Sequence, residues 1–139
     1  MSQVRDIMEK NVVTIDSEKS CLEGAKLLKE KHISFLVILK DKNPAGVVTE
    51  RDYVRKLVLK EKNPNDTPLS EIMSPKFRSV EPGTKIEDAV QKMLNNDIRR
   101  LIVLEDGKLV GVITQTDLTG FLRSKILING TIKNLESKN

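Results

Sequence analysis

The sequence predicts an α+β chain made of two β-α-β-β-α repeats packed about a pseudo-twofold axis. Three observations predict it. The stretch "GVVTERD" at Gly46–Asp52 returns as "GVITQTD" at Gly111–Asp117, 65 residues later. The same offset of 65 pairs Ile7-Met8 with Ile72-Met73, Ile33 with Ile98, Leu36 with Leu101, Leu39 with Leu104 and Asp41 with Asp106. Within each copy the apolar residues switch between alternating and helical spacing, the mark of mixed strands and helices. Self-similarity held at one offset from Ile7 to Asp52 marks a duplicated structural unit rather than coincidence.

The repeats span residues 4–60 and 69–125. Between them, 61–68 is rich in Pro, Asn and charge and reads as a linker. In the first repeat, "VVTI" (12–15) is a strand. Ser20 with Glu23 forms a capping box, which opens a helix whose Ala25, Leu27 and Leu28 face the core. "FLVILK" and "AGVVT" form a hairpin, and Val54, Leu57 and Val58 line a last helix. In the second repeat, "FRSV" (77–80) is a strand and Thr84 with Glu87 is the capping box. Ile86, Val90, Met93 and Leu94 then fall at helical spacing. "RLIVLE" and "KLVGVIT" are joined by Asp106-Gly107, a strong hairpin signal. Leu118, Phe121 and Leu122 share a face of the closing helix. The two capping boxes lie 64 apart rather than 65, which predicts a one-residue insertion before Ser20, compensated near the helix end. In the tail, 126–139, Ile126-Leu127-Ile128 is expected to dock, and 137–139 to fray.

Composition narrows the function. With 38% hydrophobic and 32% charged residues in 139, the chain suits a soluble globular fold. Only 3% are aromatic, so the core is aliphatic and single-strand base stacking is disfavoured. The net charge of +4 is spread without a basic block, so nucleic acid is not indicated as a partner; a weak nucleic-acid binder is kept as an alternative. A single Cys forms no internal disulfide and points to a reducing, cytoplasmic setting. No apolar run has the length of a signal peptide or of a membrane span, so no membrane is expected. His32 and Cys21 are the only residues of their kinds, which excludes a Cys/His zinc site. On one helix they would stand ~16 Å apart, too far for a dyad. There is no phosphate-binding Gly-x-x-x-x-Gly-Lys loop and no nucleophile elbow. The expectation is a non-enzyme with no metal and no cofactor.

The repeated Gly-x-x-Thr-x-x-Asp admits two readings. Thr49/Asp52 and Thr114/Asp117 are Thr-x-x-Asp pairs at strand-to-helix junctions, and helix capping alone accounts for them. The other reading is a ligand site. Glycine allows close approach, and free helix N–H groups with the threonine suit a ligand's polar side. An aspartate accepts from paired hydroxyls, as in dinucleotide folds. Val48 and Ile113 would then sandwich a flat base.

The "V-x-D-I-M" start, the apolar hairpin and the two motifs, duplicated across a short linker, resemble the CBS domain family. The whole chain resembles a stand-alone CBS pair, or Bateman module, over Val4–Lys60 and Leu69–Lys125. That resemblance implies a regulatory module that binds AMP, ADP or ATP, or else S-adenosylmethionine or NAD, in clefts between the repeats. It implies that Asp52 and Asp117 hold ribose hydroxyls, with Thr49 and Thr114 near the ribose or phosphate. Backbone at Thr14-Ile15 and Ser79-Val80 would read the adenine edge. Arg99 and Arg100 would reach phosphate across the pseudo-twofold; the alternative is a solvated charge pair. Repeat one has Ser34 and Phe35 at those places, while its Arg51 is matched by Thr116, so unequal sites are expected. The expected partners are an adenine nucleotide, a second copy in a homodimer formed through the helices, and an unidentified effector protein. A ligand-free structural dimerisation module is the main alternative.

Overall fold

The computed structural model describes residues 2–137, with side chains described for 2–127. Two three-stranded sheets form. In the first, β1 (Thr14–Asp16) runs parallel to β2 (Phe35–Lys40), and β3 (Asn43–Thr49) returns antiparallel. In the second, β4 (Ser79–Val80), β5 (Arg100–Glu105) and β6 (Lys108–Thr114) repeat that order. Helix α1 (Cys21–Lys31) joins β1 to β2, and α3 (Ile86–Asn96) joins β4 to β5. After β3 comes a short helix, α2 (Glu50–Asp52), which widens into a π-helical stretch at Tyr53–Val58. After β6 comes α4 (Gln115–Ser137). The β-α-β-β-α order thus occurs twice.

Local chemistry explains most boundaries. The hairpins turn at Asp41-Lys42 (φ 51° and 67°) and Asp106-Gly107 (φ 51° and 78°), the left-handed pairs that a two-residue turn requires. Helices α1 and α3 end on His32 (φ 54°) and Asp97 (φ 50°), which occupy the left-handed cap position and donate their N–H groups back to the last turn. His32 is therefore a backbone cap.

Helix phase differs from the sequence expectation. Ser20 caps α1, its Oγ accepting from Glu23 N at 3.1 Å. The residue before α3 is Lys85, not Thr84, and it offers no side-chain cap. Ser20 and Lys85 are 65 apart, so the expected one-residue insertion does not exist. The buried stripes are Cys21, Gly24 and Leu28 in α1 and Ile86, Ala89 and Met93 in α3. Ala25 is only half-buried, and Leu94 is exposed. Glycine and alanine on the true stripe carry little hydrophobic signal, which is why the spacing misled. Of the three apolar residues expected on the face after β3, only Leu57 is buried, while Val54 and Val58 are exposed. There Leu59 N bonds Val54 O at 3.0 Å, five residues back, so a period of 3.6 does not apply. On α4, Leu118 is buried and Phe121 packs beside it, but Leu122 is exposed. The tail set apart at 126 continues α4, with Ile126 and Leu127 exposed rather than docked. The side chain of Ile128, and residues 138–139, lie outside the described residues.

The compact units are offset from the sequence repeats. One comprises Met1–Lys10 with Arg78–Asn139, the other Asn11–Phe77. Each unit takes its leading segment from the other repeat. In the first, the 3₁₀ turn Val4–Asp6 buries Val4 with Ile86, Ala89, Leu101 and Ile113. Val4 N donates to Thr84 O at 2.8 Å, and Ile86 N, in the first turn of α3, donates to Ser2 O at 3.3 Å. In the second, the turn Leu69–Glu71 buries Leu69 and Ile72 with Leu28, Leu36, Ile38 and Val48. Leu69 N donates to Lys19 O at 2.9 Å, and Cys21 N to Thr67 O at 2.8 Å. These bonds satisfy N–H groups that a helix start otherwise leaves open. This is also why Thr84 is not the cap.

The same segments then close the outer edges of β3 and β6. Val47 and Ser74 exchange N–H···O bonds of 3.0 and 2.9 Å, and Val112 and Glu9 bonds of 3.0 and 2.9 Å. Passing so close leaves no room at the motif glycines. A Cβ on Gly46 would stand 2.8 Å from Ser74 O and 2.9 Å from Met73 Sδ. A Cβ on Gly111 would stand 2.7 Å from Met8 Sδ and 3.0 Å from Glu9 O. The close approach that these glycines allow is by the chain itself, which corrects the ligand reading given to them.

Gly46→Ala and Gly111→Ala should each destabilise by roughly 1–3 kcal/mol through overpacking. Gly120→Ala, with nothing within 4 Å of its Cβ, should stabilise α4 by up to about 1 kcal/mol. Urea denaturation measures all three; equal effects at the three positions would contradict the packing described.

Candidate functional site

The candidate residues gather at one end of each sheet. In the antiparallel registers Phe35 faces Thr49 and Arg100 faces Thr114, so the strand entrance and the motif threonine are neighbours. Thr14 pairs with Val37, which faces Val47; Ser79 pairs with Ile102, which faces Val112. Side chains alternate across a sheet, so Thr14, Val37, Val47 and Thr49 share one face. Ser79, Ile102, Val112 and Thr114 do the same in the other unit. Val48 and Ile113 point the opposite way and are fully buried in the cores. Ile15 and Val80 pack against those cores too. Only their backbones are left for recognition, and Val48 and Ile113 cannot sandwich a base. The apolar residues on the threonine face are Val37, Val47, Ile102 and Val112, of which only Val47 is part-exposed. Counting two residues back from each threonine finds Val47 and Val112.

At the first corner, Thr49 caps the turn, its Oγ1 accepting from Asp52 N at 3.3 Å. Asp52 Oδ2 answers by accepting from Thr49 N at 2.8 Å and from Thr49 Oγ1 at 3.2 Å. The capping box is complete, and Asp52 is only 9% exposed. Its other oxygen, Oδ1, lies 3.1 Å from Lys56 Nζ. That ammonium also donates to Ile72 O at 3.2 Å and Ser74 Oγ at 3.4 Å. Arg51 is exposed.

At the second corner, Asp117 N donates to Thr114 Oγ1 at 3.2 Å, and Thr114 N to Asp117 Oδ2 at 2.9 Å. Asp117 is half-buried and makes no ion pair among the described residues. The place of Lys56 is taken by Phe121, whose ring carries Lys125 Nζ 5.0 Å from its centroid. Arg99 is exposed, and its carbonyl accepts from Gln115 N at 2.8 Å. Arg100 is half-buried beside Thr114. Both arginines therefore sit at the Asp117 corner of their own unit. Ser79 O accepts from Lys92 Nζ, a lysine whose counterpart in the first repeat is Leu27.

Other reactive side chains serve packing. Burial first, then the charge of Glu71, pushes the Cys21 thiol up against a smaller lowering by Lys62, so it is a poor nucleophile. Tyr53 Oη donates to Cys21 O at 2.7 Å, and burial holds its ionisation well above the usual tyrosine range. A Cβ on Gly24 would stand 2.5 Å from that hydroxyl; in the other repeat the pair is Ala89 and Leu118. Among the described residues no group of three His, Cys, Asp or Glu could hold a metal, and no helix is long and apolar enough to cross a membrane.

Comparison with known proteins agrees with this architecture. The CBS domain family model matches residues 4–59 and again 69–124. The chain belongs to the CBS domain family and carries two such domains in tandem. The CBS domain-containing protein YhcV of Bacillus subtilis is 29% identical over all of this chain and 99% of its own. The uncharacterized protein MK0525 of Methanopyrus kandleri is 35% identical over 83% of this chain, which spans 60% of that relative's length. A solved protein with CBS domains from Burkholderia ambifaria superposes with a TM-score of 0.81 at 34% identity, covering 87% of this chain and 93% of that one.

Tyr53 is the only tyrosine, and there is no tryptophan, so absorbance at 295 nm reports it alone. The unfolded chain ionises near pH ~10 while the folded chain still holds the proton, so stability should fall as pH rises through that range. Phenolate appearing near pH 10 in protein that is still folded by circular dichroism would contradict the burial of Tyr53.

Proposed function

We propose that this tandem CBS pair is a sensor of an adenine nucleotide, with a ribose held by the motif aspartate and phosphates met by the arginines. What carries the reading is the division of labour within the Asp117 carboxylate. Capping uses Oδ2 alone. Among the described residues Oδ1 has no ion pair, on a half-buried carboxylate with Arg99 and Arg100 at the same corner. A capping residue needs one acceptor; a carboxylate offers two oxygens and about four lone-pair sites. Cap and ligand site are thus compatible in one side chain. The guanidinium forks suit phosphate oxygens. The ligand class is AMP, ADP or ATP, with NAD and S-adenosylmethionine as the other adenosine compounds to test. Binding would favour one of two arrangements of the chain, which an effector protein reads. Exposed Val54, Val58 and Leu59 support self-association into a homodimer.

One observation favours a second reading, a ligand-free interaction module. The Thr49/Asp52 box is complete, and the motif glycines are filled by the chain's own segments. A thermal-shift panel of AMP, ADP, ATP, NAD and S-adenosylmethionine separates the two. The sensor reading predicts that at least one adenine nucleotide raises the melting temperature, by the equivalent of about 2.7 kcal/mol at a hundredfold excess over Kd. The double variant Asp52→Asn/Asp117→Asn, which keeps acceptors for the caps, should lose that rise. No rise with any of the five ligands leaves the structural module standing.

A further inference from the structure

We propose that Lys56 closes the first corner to ligand, so that the chain takes one nucleotide at the Asp117 corner. This deepens the nucleotide reading above and rests on it. The two corners are equivalent by sequence but not by charge. In each, Oδ2 of the aspartate is committed to the threonine N–H. The remaining oxygen decides what the corner can still hold. At Asp52 it is paired with Lys56 Nζ at 3.1 Å.

Lys56 is not a loose surface cation. An ammonium has three donors. Here they meet Asp52 Oδ1, Ile72 O and Ser74 Oγ, so all three are spent. Ile72 and Ser74 belong to the segment that leads into the second repeat, anchored by buried Leu69 and Ile72 and by the Val47–Ser74 bonds. Lys56 therefore ties the carboxylate to a fixed piece of backbone. Three of the about four lone-pair sites of Asp52 are taken, so a ribose diol must displace a donor to place both hydroxyls, and displacing Lys56 trades a charged donor for a neutral one and leaves that ammonium N–H to water. Charge-assisted hydrogen bonds are roughly twice as strong as neutral ones, so that exchange is unfavourable. The side chain of Lys56 is 42% exposed, so the closure is a bias rather than a seal.

At the second corner Asp117 makes no ion pair among the described residues. Phe121 stands where Lys56 does in the first repeat and has no donor to offer Asp117. The strand entrance there carries Arg99 and Arg100, where the first repeat has Ser34 and Phe35. The repeats thus differ twice: one has a carboxylate with two arginines at the neighbouring strand entrance, and the other pairs its carboxylate with an internal lysine.

Isothermal titration of ATP into the full chain tests this. The wild type should bind one ATP per chain, and Asp117→Asn should weaken it at least about tenfold. Lys56→Met keeps the apolar stem and removes the charge; it should bind two ATP per chain. Lys56→Met/Asp117→Asn should bind one, and Lys56→Arg, which keeps a cation, should stay at one. Two ATP bound by the wild type, or one by Lys56→Met, overturns the role of Lys56 while leaving the nucleotide reading intact. Loss of binding on Lys56→Met also overturns it, because the lysine would then hold the ligand. No ATP or AMP bound by either the wild type or Lys56→Met sinks the nucleotide reading, and this inference with it.

Discussion

The passage of one chain segment under a glycine is the constraint on which the rest of this structure depends. Residues 2–10 run beneath Gly111 and residues 67–74 beneath Gly46, each joining the sheet of the other repeat. That crossing supplies buried Val4, Leu69 and Ile72 to cores that have few aromatics. Full burial of each aliphatic side chain is worth roughly 1.5–3 kcal/mol. The same segments give acceptors to the first turns of α1 and α3, and they cover the free edges of β3 and β6. A half-fold of under about 60 residues is marginal alone, and borrowing a strip of chain enlarges each core.

The crossing also occupies the space beside the two motif glycines. Beyond Gly46 and Gly111, the next polar groups of each motif are the threonine and aspartate at the head of the following helix. There the repeats part. At Asp52 the crossing segment provides Ile72 O and Ser74 Oγ, which hold Lys56 against the carboxylate. At Asp117 the equivalent position is a phenylalanine, and no ion pair forms there among the described residues. The element that stabilises both halves therefore distinguishes their chemistry as well.

The duplication, strand order and hairpins were legible in the sequence because offset, alternation and turn chemistry are local signals. Thr49, Asp52, Thr114 and Asp117 were found at strand-to-helix junctions for the same reason. What escaped was non-local. Thr84 scored as a cap because nothing in the sequence shows that its carbonyl serves Val4 and that α3 takes its acceptor from Ser2. Gly24 and Ala89 hid the helix stripes because small residues carry little hydrophobic weight. Val48 and Ile113 were assigned to the ligand by proximity to the motif, although the period of two puts them on the core face. Lys56 stands only four residues after Asp52, a spacing the sequence does show, but the Ile72 carbonyl and Ser74 hydroxyl that orient it lie 16 and 18 residues away.

The central functional claim is that a nucleotide engages the Asp117 carboxylate, and amide NMR reads it at that residue. In a ¹⁵N-labelled sample titrated with ATP, the amides of Arg100, Thr114 and Asp117 should move in one saturable process. Those of Thr49 and Asp52 should stay still. Saturable shifts at Thr49 and Asp52 with none at Thr114 and Asp117, or none at either corner, would contradict the account.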